Sequence, residues 1–397
     1  MSSNRSPGVP GVGNDPRDRI AESHDPPDKT WFRDLDEAVI EADRCVKCGS
    51  CMAACPSDSI GIEEETGRPT LVRMCTGCSR CWDFCPRSGL RSERLNELEG
   101  ATVSTAYATE AAGDHTGQNG GAVTALLAGL FEAGEIDGAI VVGDADEPLR
   151  GEAILATSRE ELLASAGSNY NQTMQLGQVD ELVGSKERVA LVGTPCVVQG
   201  ATALDRLQYD DELESVVLRI ALVCTRSFVS DRLRAQLLER DVDLEAVEHI
   251  SISGGVLSAI DGDGTILFEE DVDAFQSAAL RGCAECSDAL GKTADISAGN
   301  VGSPDGTTTL LVRTDAGQAA IDAARDELVL EELEGTDAIA GFDAWNRREA
   351  SAALPRELDP DGDLSITYAE HRDAYDGTDR EPQALNPARV HQYEEWC

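Results

Sequence analysis

Eight cysteines are grouped in two nearly identical runs near the amino terminus. Residues 45–56 read CVKCGSCMAACP, and residues 75–86 read CTGCSRCWDFCP. Both runs have the spacing C-x2-C-x2-C-x3-C-P. Three thiolates spaced in this way lie on one tight loop and can bind three irons of a cubane. The fourth cysteine is turned away by the following proline and ligates the other cluster.

This spacing is typical of bacterial two-cluster ferredoxins and predicts two [4Fe-4S] clusters. The exchange of the fourth ligand defines two sets of cysteines. Set A comprises Cys45, Cys48, Cys51 and Cys85. Set B comprises Cys55, Cys75, Cys78 and Cys81. The alternative is a pair of zinc sites, but zinc motifs usually separate two C-x2-C pairs by a longer loop. The doubled run therefore favours iron–sulfur clusters.

Four further cysteines have the number and placement needed for a third cluster. Cys196 and Cys224 follow two apolar segments that are predicted to be buried strands, and the segment 283–286 reads CAEC. We call Cys196, Cys224, Cys283 and Cys286 set C. Two alternatives are open at this point: buried cysteines that act as small hydrophobic side chains, or a single zinc ion. The last cysteine, Cys397, belongs to no motif and is assigned no role.

Composition limits the partners. The 397 residues carry a formal net charge of −41, with a pI of about 4.3 and only four lysines. This composition resembles that of halophilic proteins from archaea. So many negative charges repel one another, and high salt screens this repulsion. A polyanion is a poor candidate for binding nucleic acid. No apolar run reaches the ~18–20 residues of a membrane span, and residues 1–35 do not resemble a signal peptide. We therefore expect a cytoplasmic protein without direct membrane insertion.

The elements around the cysteines predict an α/β (mixed α+β) fold, in which a small ferredoxin-like two-cluster domain precedes an α/β domain. Helices and strands alternate after residue 100, which favours an α/β layer. The predicted helices are at 31–44, 121–131, 159–166 and from 317. The predicted strands are at 59–62, 69–72, 137–143, 153–157, 189–193, 218–223 and 307–313. Cys196 is expected in a loop after its strand.

The same pattern divides the chain into five segments. They are a disordered acidic leader (1–36), a 2[4Fe-4S] ferredoxin domain (37–95), the two parts of the α/β domain (100–182 and 183–345), and an acidic extension (346–397). The third cluster belongs to the second part of the α/β domain.

Gly120 and Gly121 precede an apolar helix. Such a turn leaves backbone N–H groups at the positive end of the helix dipole, which suits a phosphate. A glycine cap without a ligand is an equal alternative. The dinucleotide fingerprint G-x-G-x-x-G is missing here, so a dinucleotide would have to bind in another geometry.

Several motifs together resemble the beta subunit of coenzyme F420-reducing hydrogenases and dehydrogenases, fused to a two-cluster ferredoxin. They are NGGAVTALL at 119–127, AGSNY at 166–170, GTPC at 193–196, Cys224, CAECSD at 283–288 and ADISAGNVG at 294–302. They occur in the family order over about residues 100–345. The resemblance is specific because several rare motifs agree at once.

The resemblance implies an iron–sulfur flavoprotein that passes hydride between coenzyme F420 and FAD. A deazaflavin carries only hydride and a cubane carries only single electrons, whereas a flavin handles both. The set C cluster would lie beside FAD, and sets A and B would carry electrons to or from a protein partner, a soluble oxidoreductase or a membrane complex. The resemblance also implies flavin contacts from Asn119, Gly120, Gly121, Thr124, Ser168, Asn169 and Tyr170.

No catalytic residue is assigned. Tyr170 is expected either to stack on the isoalloxazine ring or to be a core aromatic. His115 precedes the glycine turn and is either a proton-transfer group or a solvated loop histidine. Two other functions are compatible with these motifs: a ferredoxin-dependent FAD and iron–sulfur reductase of an organic ring, and a non-catalytic electron relay without flavin.

Overall fold

The computed structural model describes residues 31–63, 65–78, 80–87, 103–113, 118–207, 213–333 and 335–353. Most of the predicted leader and acidic extension, as well as His115 and Cys397, lie outside these residues. Within them, the predicted mixed α/β fold with a ferredoxin-like domain is confirmed.

The cysteine-rich domain consists of short elements around a small core. Its elements are the helix Phe32–Leu35, the π-helical turn Asp36–Ile40, the helices Ser50–Ala53 and Arg80–Asp83, and the antiparallel strands β1 (Ile60–Ile62) and β2 (Pro69–Leu71). The two short helices hold the third cysteine of each run. Trp82 is fully buried and packs with Phe32, Leu35 and Ile60. The predicted strand pair is confirmed.

An eight-stranded mixed sheet forms the body of the second domain. Its strands are β3 (Thr105–Ala111), β4 (Gly138–Asp144), β5 (Gly151–Ala156), β6 (Val189–Gly193), β7 (Val216–Leu222), β11 (Ile296–Gly299), β12 (Thr308–Val312) and β13 (Leu328–Glu332). Their order is β13-β3-β12-β11-β7-β6-β4-β5. The central strands β11, β7, β6 and β4 run parallel, and the flanking strands join antiparallel. The carboxyl ends of the parallel strands therefore share one edge.

Helices cover both faces of this sheet, which explains why β6 reads as a continuous apolar run. The helices are Ala122–Ala133, Arg159–Ala164, Val179–Val183, Pro195–Leu207, Asp315–Ala323 and Asp337–Ala352. Alternate residues of β6 point to opposite cores: Ala190 packs towards the helix Ala122–Ala133, and Leu191 packs towards the helix Pro195–Leu207. Throughout the described ranges, each helix is too short or too polar to cross a bilayer.

A three-stranded antiparallel sheet lies beside the main sheet. It comprises β8 (His249–Ser253), β9 (Val256–Ile260) and β10 (Ile266–Asp271), and the helix Ser230–Leu238 accompanies it. Phe228, Leu257 and Phe275 form its buried core. The sequence analysis predicted no element here. Every residue of β10 is exposed or half-buried, so this strand has no buried face. The strand β8 reads HISIS, an alternation that indicates a strand and that the sequence analysis did not use.

Two details differ from the sequence-based expectation. The loop prediction for Cys196 is wrong, because this cysteine is the second residue of the helix Pro195–Leu207. Proline favours the first helical position, so the helix begins directly after Thr194. The helix Asp337–Ala352 also continues through residue 346, where an acidic extension was expected to begin, and its Asn346 side chain is buried.

The ferredoxin-like domain packs on the sheet face that carries the helix Pro195–Leu207. Val46, Cys48 and Phe84 belong to the same apolar cluster as Leu191 and Val197. The backbones of the two domains approach closely at Gly49 (φ +90°), where a Cβ atom would lie 2.3 Å from the Gly177 nitrogen. Nearby, the Leu176 N–H donates to the Cys48 carbonyl at 3.3 Å. The domains are therefore joined through the cysteine loop itself.

Candidate functional site

The four cysteines of set B surround one cavity. Cys55, Cys75, Cys78 and Cys81 line a space of about 280 Å³, which includes its opening to solvent, together with Phe32 and Ile60. Cys55 comes from the first run and the other three come from the second. The cavity therefore has the mixed ligand set that the exchange of the fourth cysteine requires.

The cysteines of set A lie close enough to influence one another electrostatically. Burial raises the pKa of Cys45 to about 12, with further increases from Cys48 and Cys85. Burial also raises the pKa of Cys51 well above its ordinary value, and Cys45, Cys48, Cys85 and Cys81 raise it further. Cys85, from the second run, is thus a neighbour of the first three cysteines. The influence of Cys81 on Cys51 makes sets A and B neighbours as well.

Set C is assembled from three distant parts of the chain. Cys196 lies at the start of the helix Pro195–Leu207, Cys224 follows β7, and Cys283 and Cys286 lie at a 3₁₀ turn, Arg281–Glu285. The pKa of Cys224 is raised to about 12, mainly by burial and in addition by the nearby Cys283 and Cys286. Burial likewise raises the pKa of Cys283 to about 11. The structure therefore brings together all four cysteines of set C.

Sets A and C are also neighbours. Burial raises the pKa of Cys196, and the largest charge effect on it comes from Cys48 of set A, ahead of Cys286 and Cys224. The three sets thus form a series, B–A–C, from the outer part of the ferredoxin-like domain to the main sheet. In the described residues, no three His, Cys, Asp or Glu side chains converge at the spacing of a single metal ion.

Backbone N–H groups point at several cysteine sulfurs. Lys47 N donates to Cys45 Sγ at 3.4 Å, and Gly77 N donates to Cys75 Sγ at the same distance. These are equivalent positions of the two runs, and both have left-handed backbone conformations, with φ of +52° and +69°. Such N–H···S bonds stabilise negative charge on sulfur and help to set the potential of a cluster. Gly77 adopts this conformation without strain, whereas Lys47 does so as an uncommon non-glycine residue.

Gln172 connects two cysteines of set C through hydroxyl groups. Its Nε2 donates to Thr194 Oγ1 at 2.9 Å and to Ser227 Oγ at 3.0 Å. The Thr194 hydroxyl lies 3.2 Å from Cys196 Sγ, and the Ser227 hydroxyl lies 3.9 Å from Cys224 Sγ. The amide therefore fixes the orientation of groups that contact the sulfurs. The sequence gives no signal for this role, because the partners are separated by 22 and 55 residues.

The glycine turn precedes the helix Ala122–Ala133 with three consecutive left-handed residues. Asn119, Gly120 and Gly121 have φ values of +50°, +83° and +65°. The turn is fixed by the Thr308 hydroxyl, which donates to the Asn119 carbonyl at 2.6 Å. The first N–H groups of a helix have no intrahelical acceptor, so the turn presents them to an anion. Thr124, on the first turn, is half-buried.

The loop 168–170 lies at the other end of the same sheet edge. Asn169 Nδ2 donates to Asp144 Oδ1 at 3.2 Å, at the carboxyl end of β4, and Ser168 is half-buried beside it. The Tyr170 hydroxyl accepts a hydrogen bond from Ile252 N at 3.0 Å, and its ring packs against the core of the three-stranded sheet. These contacts favour the core role of Tyr170, and its stacking on a flavin stays a prediction.

All candidate cofactor residues thus lie along one edge of the main sheet. Asp144, Cys196 and Cys224 mark the carboxyl ends of β4, β6 and β7, and the bond from Thr308 brings the glycine turn to the same edge. Four strand spacings separate β12 from β4, which is roughly 19 Å. Ligands of open α/β sheets bind outside the carboxyl ends of the strands. Two cysteines of set C, Cys196 and Cys224, follow strands that end on this edge, between the glycine turn and the loop 168–170.

Three family models match the chain. A model described as "4Fe-4S dicluster domain" matches residues 37–101. Two models of the coenzyme F420 hydrogenase/dehydrogenase beta subunit match as well, the one for its amino-terminal part over 103–179 and the one for its carboxy-terminal part over 186–337. The chain therefore belongs to the coenzyme F420 hydrogenase/dehydrogenase beta-subunit family and carries an amino-terminal [4Fe-4S] dicluster domain. The family resemblance noted in the sequence is confirmed. The segment boundaries, the residues that bind each cofactor, FAD and the third cluster stay predictions.

Particular relatives come from methanogens. The coenzyme F420-dependent sulfite reductase of Methanocaldococcus jannaschii is 31% identical over 75% of this chain, which spans only 48% of that protein. An uncharacterized protein of the same organism is also 31% identical, over 72% of this chain and 88% of its own length. The F subunit of the F420H2 dehydrogenase of Methanosarcina mazei is 27% identical over 74% of this chain and 86% of its own length.

A solved structure shares the fold. A chain of the F420-reducing [NiFe] hydrogenase complex from Methanosarcina barkeri superposes with a TM-score of 0.59 at 24% identity. The match covers 64% of this chain and 91% of that one. The relatives named for an activity are a sulfite reductase, a dehydrogenase subunit and a hydrogenase subunit, and each name contains coenzyme F420 or its reduced form.

Proposed function

We propose that this protein passes hydride between coenzyme F420 and FAD, and passes single electrons through three [4Fe-4S] clusters to or from a protein partner. The observation that carries the proposal is the serial order of the cysteine sets. Set C lies at the sheet edge expected for a flavin, set A adjoins it, and set B follows. This order is what a path from a two-electron donor to a one-electron partner requires.

The residues at the sheet edge fit a flavin. FAD, when bound, would exchange hydride with F420 and release electrons singly. The N–H groups at the start of the helix Ala122–Ala133 would hold a phosphate, since a helix N-terminus favours negative charge. Ser168 and Asn169, at the far end of the same edge, would contact the ring system. The chain's own groups therefore bind and orient the cofactor.

Set C and its surroundings fit a cluster. The four cysteines of set C lie close enough to raise one another's pKa, and Gln172 holds two hydroxyl groups beside Cys196 and Cys224. Cysteine thiolates are the usual ligands of [4Fe-4S] clusters. Set B supports the outward end of the path. Met74, which precedes Cys75, is 90% exposed, so a partner could approach set B closely.

Cofactor content after anaerobic purification in high salt tests the proposal. We expect one FAD and about twelve irons per chain, because three cubanes hold four irons each. Iron without FAD would contradict the enzyme and leave an electron relay. About eight irons with FAD would contradict the third cluster alone. The variant Cys196→Ser provides a second test: it should block electron transfer from flavin to cluster while hydride exchange with FAD is partly retained.

A further inference from the structure

Arg87 connects set A with set C. It follows Cys85 and Pro86, and its backbone N–H donates to Cys85 Sγ of set A at 3.4 Å. Its side chain extends the other way, where Nε donates to the Gly282 carbonyl at 2.8 Å, one residue before Cys283. Its NH1 donates to the Pro86 carbonyl at 3.2 Å. One residue thus contacts a cysteine of set A and the segment that carries Cys283 and Cys286 of set C.

The charge of Arg87 is buried. The residue is only 6% exposed, and among the described residues no carboxylate forms an ion pair with it. An arginine stays protonated in proteins. A buried cation is costly unless it is paired. Within the described residues, the Gly282 and Pro86 carbonyls accept its hydrogen bonds, and Cys283 of set C directly follows Gly282.

A second arginine at the same domain contact shows what a purely structural cation looks like. Arg44 is fully buried, and its NH2 lies 3.1 Å from the Glu285 Oε2 atom. That pair is neutral overall and cannot impose a net charge on its surroundings. Arg87 differs because the described part of the chain supplies no such carboxylate. Its positive charge therefore acts on whatever set C holds.

We propose that Arg87 is a positioning residue that raises the reduction potential of the set C cluster. The inference rests on the proposed function, since set C must hold a [4Fe-4S] cluster. Each electron that enters a cluster adds one negative charge, and a neighbouring cation stabilises that reduced state. Net charge and hydrogen bonds to sulfur are among the factors that set cluster potentials. Arg87 would thereby favour movement of an electron onto set C from the flavin side.

The test compares the reduction potentials of the clusters in the complete protein. They are measured in an anaerobic potentiometric titration that is monitored by electron paramagnetic resonance. In Arg87→Met we expect the equilibrium constant for one-electron reduction of the set C cluster to fall at least tenfold. This corresponds to a reduction potential lower by about 59 mV. The set B cluster should be unchanged. Arg87→Lys, which keeps the charge, should restore most of the potential. If Arg87→Met loses iron, the charge-conserving variant still decides, because a potential far below wild type in Arg87→Lys would overturn the proposal.

Arg226 is a matched control. It lies two residues after Cys224 of set C, but its NH1 is paired with Asp273 Oδ1 at 2.9 Å. Arg226→Met should therefore shift the set C potential less than Arg87→Met. Equal shifts in the two variants, or no shift in an Arg87→Met protein that keeps all its iron, would overturn the proposal. A wild-type protein with only about eight irons would overturn the cluster itself, and the role of Arg87 with it.

Discussion

Arg44 and Glu285 form a bidentate ion pair with no exposed surface, at 3.1 Å between NH2 and Oε2 and 3.4 Å between Nε and Oε1. Arg44 directly precedes Cys45 of set A, and Glu285 lies between Cys283 and Cys286 of set C. A pair separated by 241 residues thus fixes two cysteine loops against each other. Beside it, a Cβ atom on Gly282 would meet the Arg44 carbonyl oxygen at 2.0 Å, which leaves no room for a side chain.

Glu285→Gln tests this domain contact. Removal of one partner leaves the other charge buried and uncompensated, which costs about 3–5 kcal/mol. We expect a lower midpoint of guanidinium unfolding, measured anaerobically by circular dichroism. The exposed Arg33–Glu37 pair supplies the control, because such pairs contribute little to stability. If Glu37→Gln is as harmful as Glu285→Gln, the buried pair has no special role.

The exchange of the fourth cysteine makes a prediction about which clusters change together. Cys55→Ser should alter the same electron paramagnetic resonance signal as Cys75→Ser, although the two residues belong to different runs. Likewise, Cys85→Ser should alter the same signal as Cys45→Ser. Each variant should lose up to about four irons per chain. Cys397→Ser should keep the wild-type iron content. Pairing of Cys55 with Cys45 in these spectra would contradict the ligand sets.

Asn346 holds the loop that carries two cysteines of set C. Its Oδ1 accepts from Ala289 N at 3.0 Å, and its Nδ2 donates to the Cys286 carbonyl at 3.2 Å. Asn346→Ala leaves these buried groups without partners, at a cost of about 1–3 kcal/mol. We expect a chelator to remove iron from set C severalfold faster. Gln318→Ala, at an exposed hydrogen bond on another helix, is the control, and equal release from both variants would contradict this role.

Iron loading should depend on pH. Burial raises the pKa of Cys45 and Cys224 to about 12 and that of Cys283 to about 11, from an ordinary 9.0. A thiol binds iron only after it loses its proton. Protons therefore compete with iron throughout about pH 7–9, below these raised pKa values, and the competition weakens as the pH rises. Ferrous iron binding to the stripped chain should tighten over this range, by up to about tenfold per pH unit for each thiol. An affinity for ferrous iron that does not change between about pH 7 and 9 would contradict this competition between protons and iron.

Local patterns allowed much of the fold and the dicluster domain to be predicted. The spacing of the two cysteine runs, the apolar run of β6 and the glycine turn before the helix Ala122–Ala133 are all local signals. The strand pair β1–β2 was predicted for the same reason. The ligand sets required one further rule, the exchange of the fourth cysteine, which is itself a property of the spacing.

The surroundings of the clusters could not be predicted in this way. The side chains of Arg87, Gln172 and Asn346 contact groups beside cysteines that lie far away in the sequence. Arg87 directly follows the second cysteine run, but that position does not indicate the contact of its side chain with Gly282. Their roles depend on how the two domains pack and on which strands become neighbours in the sheet. Tyr170 illustrates the same limit, since the hydrogen bond that its hydroxyl accepts from Ile252 joins residues 82 positions apart in the sequence.

The most direct test of the proposed function is an anaerobic titration of the purified protein with F420H2 in high salt. The flavin absorbance is monitored for bleaching. NADH is added in a parallel cuvette. Bleaching by F420H2 alone, followed by reduction of the clusters, is the result we predict. No bleaching by either donor, in a protein whose clusters dithionite still reduces, would contradict hydride exchange with F420. Electrons would then have to enter through the ferredoxin-like domain.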